Sequence, residues 1–274
     1  MDETTRSLKM QEHYATVQEA ERLAAGVGEL ERLRTQDVLK RHLPKAPARI
    51  LDVGGAAGVH ALWLARDGYE VHLSDPVPKH VQQAEEASRL QTQFPIASCA
   101  VGDARNIEQR DESADGVLLL GPLYHLTERA DRVKALCETH RVLRPGGRVF
   151  AAAISRFASL MDGLSRDLVA DPRFVEILRQ DLKDGQHRNL TDNPQYFTTT
   201  FFHHPHELRQ EIEDAGFTFE KTVAIEGPVW VMGTFSKHWD DPAKRALLLE
   251  LLRAVEEERA LLGSSAHMIG VGKK

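Results

Sequence analysis

Cysteine is scarce in this sequence, with only two among 274 residues. Cys99 and Cys137 lie far apart, which excludes a disulfide framework and a metal site built on closely spaced cysteines. Long hydrophobic runs are also missing, since no apolar segment approaches the roughly 20 residues of a membrane span. The polar N-terminus has no apolar core of the kind that a secretory signal carries. We therefore expect a soluble protein of the reducing cytoplasm with no membrane partner.

An excess of basic residues is absent as well. The formal net charge is −6, and no stretch concentrates lysine and arginine into a groove-lining patch. A nucleic-acid partner would therefore lack its usual electrostatic footprint, and we expect none. The length, with 42% apolar residues, suffices for one large core or a core with a lid, rather than two equal domains.

Three glycines, Gly54, Gly55 and Gly58, lie close together in one segment. From Arg49 to Ala65 an apolar run breaks into a glycine-rich turn and resumes with helical spacing, which predicts a strand, a tight turn and a helix. Turn residues without a Cβ atom let a flat ligand lie against the backbone, near the amides of the first helical turn. The spacing D-x-G-G-x-x-G departs from the dinucleotide pattern, because Ala56 and Val59 occupy the places of its second and third glycines.

Two acidic residues follow the next two predicted strands. The alternating run from Tyr69 to Asp75 predicts a second strand with a carboxylate at its carboxyl end. Asp103 follows a short apolar stretch that ends at Ala100. Ligands of open parallel sheets bind beyond the carboxyl ends of the strands, so Asp75 should face the same crevice as the glycine loop. The alternatives are a turn-forming Asp75 before proline and a solvated Asp103 in a loop.

Two further apolar runs complete the predicted sheet. The run from Ala114 to Leu126 predicts a strand buried on both faces, at the centre of the sheet. From Arg141 to Ala153 a helix should end, Pro145, Gly146 and Gly147 should turn the chain, and a new strand should begin.

These segments, in this order, resemble the class I S-adenosylmethionine-dependent methyltransferases of the small-molecule type. The resemblance implies an α/β fold with a Rossmann-like, doubly wound, seven-stranded, mostly parallel sheet. An antiparallel last strand, N-terminal helices and a helical lid insertion should accompany it. It also implies S-adenosyl-L-methionine as the cofactor and methyl transfer as the reaction.

The resemblance further assigns roles to individual positions. Asp75 should hold the ribose hydroxyls of the cofactor, and Asp103 should accept a hydrogen bond from the adenine amine. Tyr14 and Arg34 are candidate contacts for its carboxylate and methionine tail, with an exposed helix surface as the alternative for each. The full set of predicted cofactor-binding residues is Tyr14, Arg34, Gly54, Gly55, Ala56, Gly58, Asp75, Pro76, Asp103, Ala104, Leu120 and Gly121.

Four segments describe the predicted organisation. Residues 1–42 should form one or two amphipathic cap helices separated by Gly26 and Gly28, and residues 43–154 the cofactor-binding core. Residues 155–202 should form a lid over the acceptor, with helices around 160–169 and 174–182. Residues 203–274 should complete the core with a helix after Pro205, a strand at 222–226, a helix over 242–262 and a last strand.

The lid carries the predicted acceptor-binding residues. Tyr196, Phe197, Phe201 and His203 could line an acceptor pocket together with Phe202. The alternative is ordinary hydrophobic packing, which is favoured for Phe201 and Phe202.

The reactivity needed for methyl transfer should come from the cofactor, whose sulfonium methyl group is already activated. The protein must hold the acceptor in line with it, exclude water and remove a proton where the acceptor carries one. His125 is the candidate general base, since imidazole titrates near neutral pH, and Tyr124 is the reserve. His125 could instead only shape the pocket or cap a helix.

We expect a small organic acceptor methylated on oxygen or nitrogen, and no metal. A monomer and a homodimer both stay open. Two other functions compete with this reading. One is a non-catalytic cofactor-binding or regulatory protein on the same fold, and the other is a nicotinamide-dependent oxidoreductase.

Overall fold

The computed structural model describes residues 19–191 and 193–274. Helices and strands alternate through the first half of the chain, as the apolar runs predict. The helices are α1 Glu19–Arg22, α2 Gly26–His42, α3 Val59–Arg66, α4 Pro78–Leu90, α5 Pro122–His125, α6 Arg129–Val142, α7 Ala158–Ser165, α8 Pro172–Asp184, α9 Pro205–Asp214, α10 Phe235–Trp239 and α11 Pro242–Val255. The strands are β1 Arg49–Val53, β2 Glu70–Asp75, β3 Ser98–Val101, β4 Ala114–Leu119, β5 Leu143–Ser155, β6 Gln186–His187, β7 Thr200–His203, β8 Thr218–Ala224 and β9 His267–Lys273.

The sheet has the strand order β3-β2-β1-β4-β5-β7-β6, and β9 pairs with β5 and β8. The pairs β1 with β2, β1 with β4, β2 with β3 and β4 with β5 are parallel. The predicted central strand is confirmed, because β4 lies in the middle of this order and its apolar residues are buried. Gly146 N–H donates to the carbonyl of Lys274 and Ser155 N–H to that of Ala266, so β5 and β9 run in opposite directions. The predicted mixed α/β fold with antiparallel last strands is confirmed.

The chain divides into two compact units. We call residues 36–152, 209–221 and 270–274 the glycine-loop unit, and the described residues 19–35, 153–208 and 222–269 the insertion unit. These units do not coincide with the four predicted segments, whose boundaries stay predictions.

The Pro145-Gly146-Gly147 turn is part of β5 rather than a separate connection. Ala114 of β4 pairs with Leu143, and Gly116, two residues on, pairs with Arg148. The three extra residues on β5 form a bulge in which Gly146 adopts a φ of +85°. The turn signal in the sequence was correct, but pairing on both sides of it keeps the strand continuous.

The insertion contains strands as well as the predicted helices. Helices α7 and α8 lie close to the expected positions, and α8 begins where Asp171 accepts a hydrogen bond from the backbone of Arg173. Two additional strands, β6 and β7, raise the described number to nine rather than seven. All four residues of β7 are buried. Its aromatic and β-branched side chains suit a buried strand better than a polar lid.

The break between α1 and α2 lies at residues 23–25, directly before the two N-terminal glycines predicted to mark it. Gly26 begins α2, and Gly28 lies inside it. A Cβ atom at Gly28 would overlap the carbonyl oxygen of Arg22, so close packing rather than a chain break explains this glycine. At the other end, the helix predicted over 242–262 stops at Val255, and a short 3-10 turn covers Leu262–Ser264. Within the described part of the chain, no helix has the length and apolar character required to cross a membrane.

Candidate active site

The glycine loop joins β1 to α3 in the glycine-loop unit. The amides of Gly54 and Gly55 both donate to the carbonyl of Ser74, at 2.7 and 3.2 Å, which holds the loop against the end of β2. Gly54 and Gly58 adopt φ values of +75° and +82°, which glycine reaches without steric cost. Ala56 also lies in the left-handed region, with a φ of 46°. The loop therefore has the tight backbone that its composition predicts.

Asp75 fixes this loop from the neighbouring strand. Its Oδ2 accepts the amide of Ala56 at 2.9 Å, and its Oδ1 accepts the amide of Val77 at 2.9 Å. The ring of His80, which the sequence reading missed, lies 3.1 Å from the same Oδ1. A carboxylate offers about four lone-pair positions, so these contacts leave capacity for a hydroxyl donor. The ribose contact of Asp75 stays a prediction.

Asp52 is a second buried carboxyl group beside the loop. It is 2% exposed, and its Oδ2 has no hydrogen-bond partner among the residues that the structure describes. A Cβ atom at Gly55 would lie 2.7 Å from this oxygen. Burial, together with the nearby charge of Asp75, raises the pKa of Asp52 to about 7. An unsatisfied acceptor of this kind suits a bound group that carries N–H donors.

The raised pKa of Asp52 predicts a pH-dependent stability. The folded chain holds the proton more tightly than the unfolded chain, so stability is present at acid pH and declines as the pH rises from about 4 to 7. The decline should be on the order of 4 kcal/mol. Asp52→Asn should flatten the curve of unfolding free energy measured in urea between pH 4.5 and 7.5. Asp67→Asn, at an exposed position after α3, is the control. An unchanged slope in Asp52→Asn would contradict the assignment.

The segment after β4 lies against the glycine loop. A Cβ atom at Gly54 would be 2.7 Å from the Cγ and Cδ atoms of Pro122, and one at Gly121 would be 3.4 Å from the carbonyl oxygen of Gly54. Helix α5 begins at Pro122 and carries Tyr124 and His125, whose rings meet edge to face at 4.8 Å. The Tyr124 hydroxyl donates to the carbonyl of Leu120 at 3.1 Å. The structure thus brings predicted cofactor-binding and catalytic segments together.

Arg132 of α6 supports the end of helix α5. One of its terminal nitrogens donates to the carbonyls of Leu126 and Thr127, at 2.9 and 2.8 Å. The rest of the guanidinium pairs with Glu211 of α9 at 2.8 to 3.0 Å, and both side chains are 2% exposed. This pair could not be predicted from the sequence, because its members are 79 residues apart.

Asp103 and Ala104 follow β3 in the same unit. Asp103 is exposed and forms a two-point contact with Arg105, at 2.7 to 3.2 Å, whereas Ala104 is buried. Partial burial raises the pKa of Asp103, but the hydrogen bonds and charge of Arg105 outweigh it and hold the pKa below its usual value. Asp103 is therefore an ionised hydrogen-bond acceptor directly after β3, which is the edge strand of the sheet. Pro76 is exposed directly after β2.

The remaining predicted contacts belong to the insertion unit. The buried guanidinium of Arg34 is paired with Glu256 and donates to the carbonyl of Ile225 at 3.2 Å, which gives it a structural role there. Tyr196, Phe201 and His203 are buried, and Phe197 is half-buried. Tyr14 lies outside the described residues. The roles of these residues in binding stay predictions.

One cluster of potential metal ligands lies in the insertion unit. The ligand atoms of Glu31, Glu226 and His267 lie within 4.8 Å of one another. Burial lowers the pKa of His267, but the charges of Glu31 and Glu226 outweigh it and raise the pKa to about 9. Its Nδ1 lies 2.6 Å from Glu226, and Glu31 is also paired with Arg22. At neutral pH the cluster therefore works as a network of ion pairs.

The sequence of residues 51–151 matches the family described as "Methyltransferase domain". This range contains the glycine loop, Asp75, Asp103 and helix α5. Residues 51–151 are a methyltransferase domain. For residues 51–151 the predicted methyltransferase family is confirmed, with S-adenosylmethionine as the cofactor of this domain type.

Similar proteins support the same assignment for this domain. An uncharacterized methyltransferase of Mycobacterium tuberculosis is 35% identical over 107 residues, 39% of this chain and 40% of the relative. A ubiquinone/menaquinone biosynthesis C-methyltransferase of Acidiphilium cryptum is 33% identical over 114 residues, 41% of this chain and 45% of the relative. The matched region thus spans less than half the length of either relative.

The fold of the methyltransferase domain also occurs in a solved structure of an S-adenosylmethionine-dependent methyltransferase from Methanosarcina mazei. The TM-score is 0.60, with 86% of this chain and 96% of that chain covered, at 19% identity. The residues present here fit the cofactor, because Oδ2 of Asp52, beside the glycine loop, is buried and has no hydrogen-bond partner among the described residues.

Proposed function

We propose that this chain transfers a methyl group from S-adenosylmethionine to an oxygen or nitrogen atom of a small organic molecule. The observation that carries the proposal is that three segments of the methyltransferase domain contact one another. Asp75 fixes the glycine loop from β2, and Pro122 packs against Gly54 from the segment after β4. The names of relatives that act in quinone biosynthesis agree with a small acceptor.

The chain's own residues have separate roles in this proposal. Gly54, Gly55 and Ala56 hold the cofactor against the backbone, and Asp75 and Asp103 accept hydrogen bonds from its ribose and adenine. When bound, the cofactor supplies a methyl group that is already activated on sulfur. Orientation of the acceptor and exclusion of water then account for most of the rate.

His125 is proposed as the general base that takes a proton from the acceptor. It stands on α5, whose first residue contacts the glycine loop, so its ring belongs to the same region as the cofactor residues. Tyr124, whose hydroxyl is bonded to Leu120, is the reserve. The predicted acceptor-binding residues Tyr196, Phe197, Phe201 and His203 stay a separate part of the proposal.

Calorimetric titration with S-adenosylmethionine, with NAD as a control ligand, tests the proposal. The unchanged chain should bind S-adenosylmethionine and not NAD. Asp75→Ala should weaken binding by about 10- to 100-fold, since lost hydrogen bonds to a charged group cost about 1.5–3 kcal/mol. His125→Ala should bind the cofactor normally but lose methyl transfer by about 100-fold or more in a radiolabelled acceptor screen. Normal binding by Asp75→Ala would contradict the cofactor site, and binding without any transfer would indicate a non-catalytic protein.

A further inference from the structure

Asp103 lies next to the residues that are proposed to hold the cofactor. Val101, at the end of β3, pairs with Asp75 of β2, and the amide of Gly102 donates to the carbonyl of Asp75 at 3.1 Å. The carboxylate of Asp75 in turn accepts the amide of Ala56 in the glycine loop. All of these residues belong to the glycine-loop unit. Asp103 therefore follows directly on the backbone that joins the ends of β2 and β3.

Arg105 holds the carboxylate of Asp103 in one orientation. Oδ1 accepts the backbone amide of Arg105 at 2.8 Å and the Nε atom of the same residue at 3.1 Å, and Oδ2 accepts one terminal nitrogen at 2.7 Å. The other terminal nitrogen lies 3.4 Å from Asp131 of α6, so the guanidinium is tied to a helix as well. Two-point contacts between arginine and a carboxylate fix geometry in addition to charge.

These contacts leave little acceptor capacity on Asp103. A carboxylate offers about four lone-pair positions, and the three N–H donors of Arg105 leave about one of them. The side chain of Asp103 is 45% exposed, so a ligand can reach this position. A single ionised acceptor suits one N–H donor, such as the amino group of adenine, and repels the keto oxygen that hypoxanthine carries in its place.

We infer that Arg105 is a positioning residue for adenine, and that by fixing the carboxylate of Asp103 it makes the site select an amino-purine over a keto-purine. The inference rests on the proposed function, in which Asp103 accepts a hydrogen bond from the adenine of the cofactor. A carboxylate free to rotate could turn to the ring N–H that a keto-purine offers instead. It would also have to be ordered when the cofactor binds, which costs affinity.

Calorimetric titration with two cofactor analogues tests the selection. S-adenosylhomocysteine carries the amino group, and S-inosylhomocysteine carries a keto oxygen at the same place. The unchanged chain should bind S-adenosylhomocysteine about 10- to 100-fold tighter, because the keto compound loses a hydrogen bond to a charged group. Arg105→Ala should reduce this preference by about three- to tenfold, since the side chain of Asp103 is no longer ordered beforehand. An unchanged or larger preference in Arg105→Ala would overturn the inference.

Arg173 provides a matched control. It forms the same contact with Asp171, two residues before it, through its backbone amide at 2.8 Å and a terminal nitrogen at 2.7 Å. This pair begins helix α8 of the insertion unit, away from β3 in the chain. Arg173→Ala should therefore keep the full preference for S-adenosylhomocysteine. An equal loss of preference in both arginine variants would show a general effect on the fold and would overturn the inference.

A double substitution distinguishes positioning from direct contact of Arg105 with the ligand. Asp103→Ala should already lose the preference, and adding Arg105→Ala should change neither affinity by more than about twofold. A larger further loss would overturn the positioning role, because Arg105 would then act without Asp103. Equal binding of the two analogues by the unchanged chain would overturn the inference alone. Failure of the unchanged chain to bind S-adenosylhomocysteine would overturn the proposed function together with the inference.

Discussion

Gly54→Ala should weaken the binding of S-adenosylmethionine by about 100-fold or more. The new methyl group would lie 2.7 Å from two ring carbons of Pro122, at a φ of +75° where alanine is already strained. The proline ring has no flexible end that could move aside. Relief therefore requires the glycine loop and helix α5 to separate, which would displace both cofactor residues and His125. Calorimetric titration of the variant measures the effect.

Gly146→Ala separates the clash from the backbone strain. Gly146 has a similar φ of +85°, in the β5 bulge, but nothing lies within 4 Å of the position of its Cβ atom. This variant should lose about 1–2 kcal/mol of stability and keep its affinity for S-adenosylmethionine. If Gly54→Ala binds as tightly as Gly146→Ala, the contact between the loop and Pro122 does not shape the cofactor site.

The sequence alone predicts those strands and turns whose signals lie in neighbouring residues. Apolar runs predicted β1, β2 and β4, and the spacing from Asp52 to Gly58 predicted the loop, because strand burial and turn conformation depend on neighbouring residues. The position of Asp75 beside the glycine loop is also predicted correctly. Parallel strands place their carboxyl ends at one edge of the sheet, where the amide of Ala56 meets the carboxylate.

Other features depend on partners that are distant in the chain. Nothing near Arg34 indicates its pairing with Glu256, and a lone arginine on a helix is indistinguishable from a ligand contact until its partner is known. The raised pKa of Asp52 arises from burial and from the charge of Asp75 on the neighbouring strand. The φ of 64° at Phe197 also escapes prediction, because a residue with a side chain rarely adopts a positive φ.

Glu211→Ala should cost about 3–5 kcal/mol in the free energy of unfolding, because it removes a buried carboxylate that pairs with the guanidinium of Arg132. The exposed equivalent is the two-point pair of Arg148 with Glu220, whose side chains are 30% and 25% exposed. Glu220→Ala should cost no more than about 1 kcal/mol. Urea denaturation of the two variants gives the comparison, and a cost below 1 kcal/mol for Glu211→Ala would mean that water reaches the pair.

Replacing both members of the buried pair should separate stability from positioning. Arg132→Met together with Glu211→Met removes both charges, so much of the loss in Glu211→Ala should be recovered. Methionine cannot donate to the carbonyls of Leu126 and Thr127, which Arg132 holds at the end of helix α5. Hydrogen exchange over residues 122–127 should therefore be faster in the double variant than in the unchanged chain, although global stability is similar. Because His125 stands on this helix, methyl transfer should fall while cofactor affinity persists. Unchanged exchange would show that packing alone fixes α5, and that the pair serves the fold rather than the site.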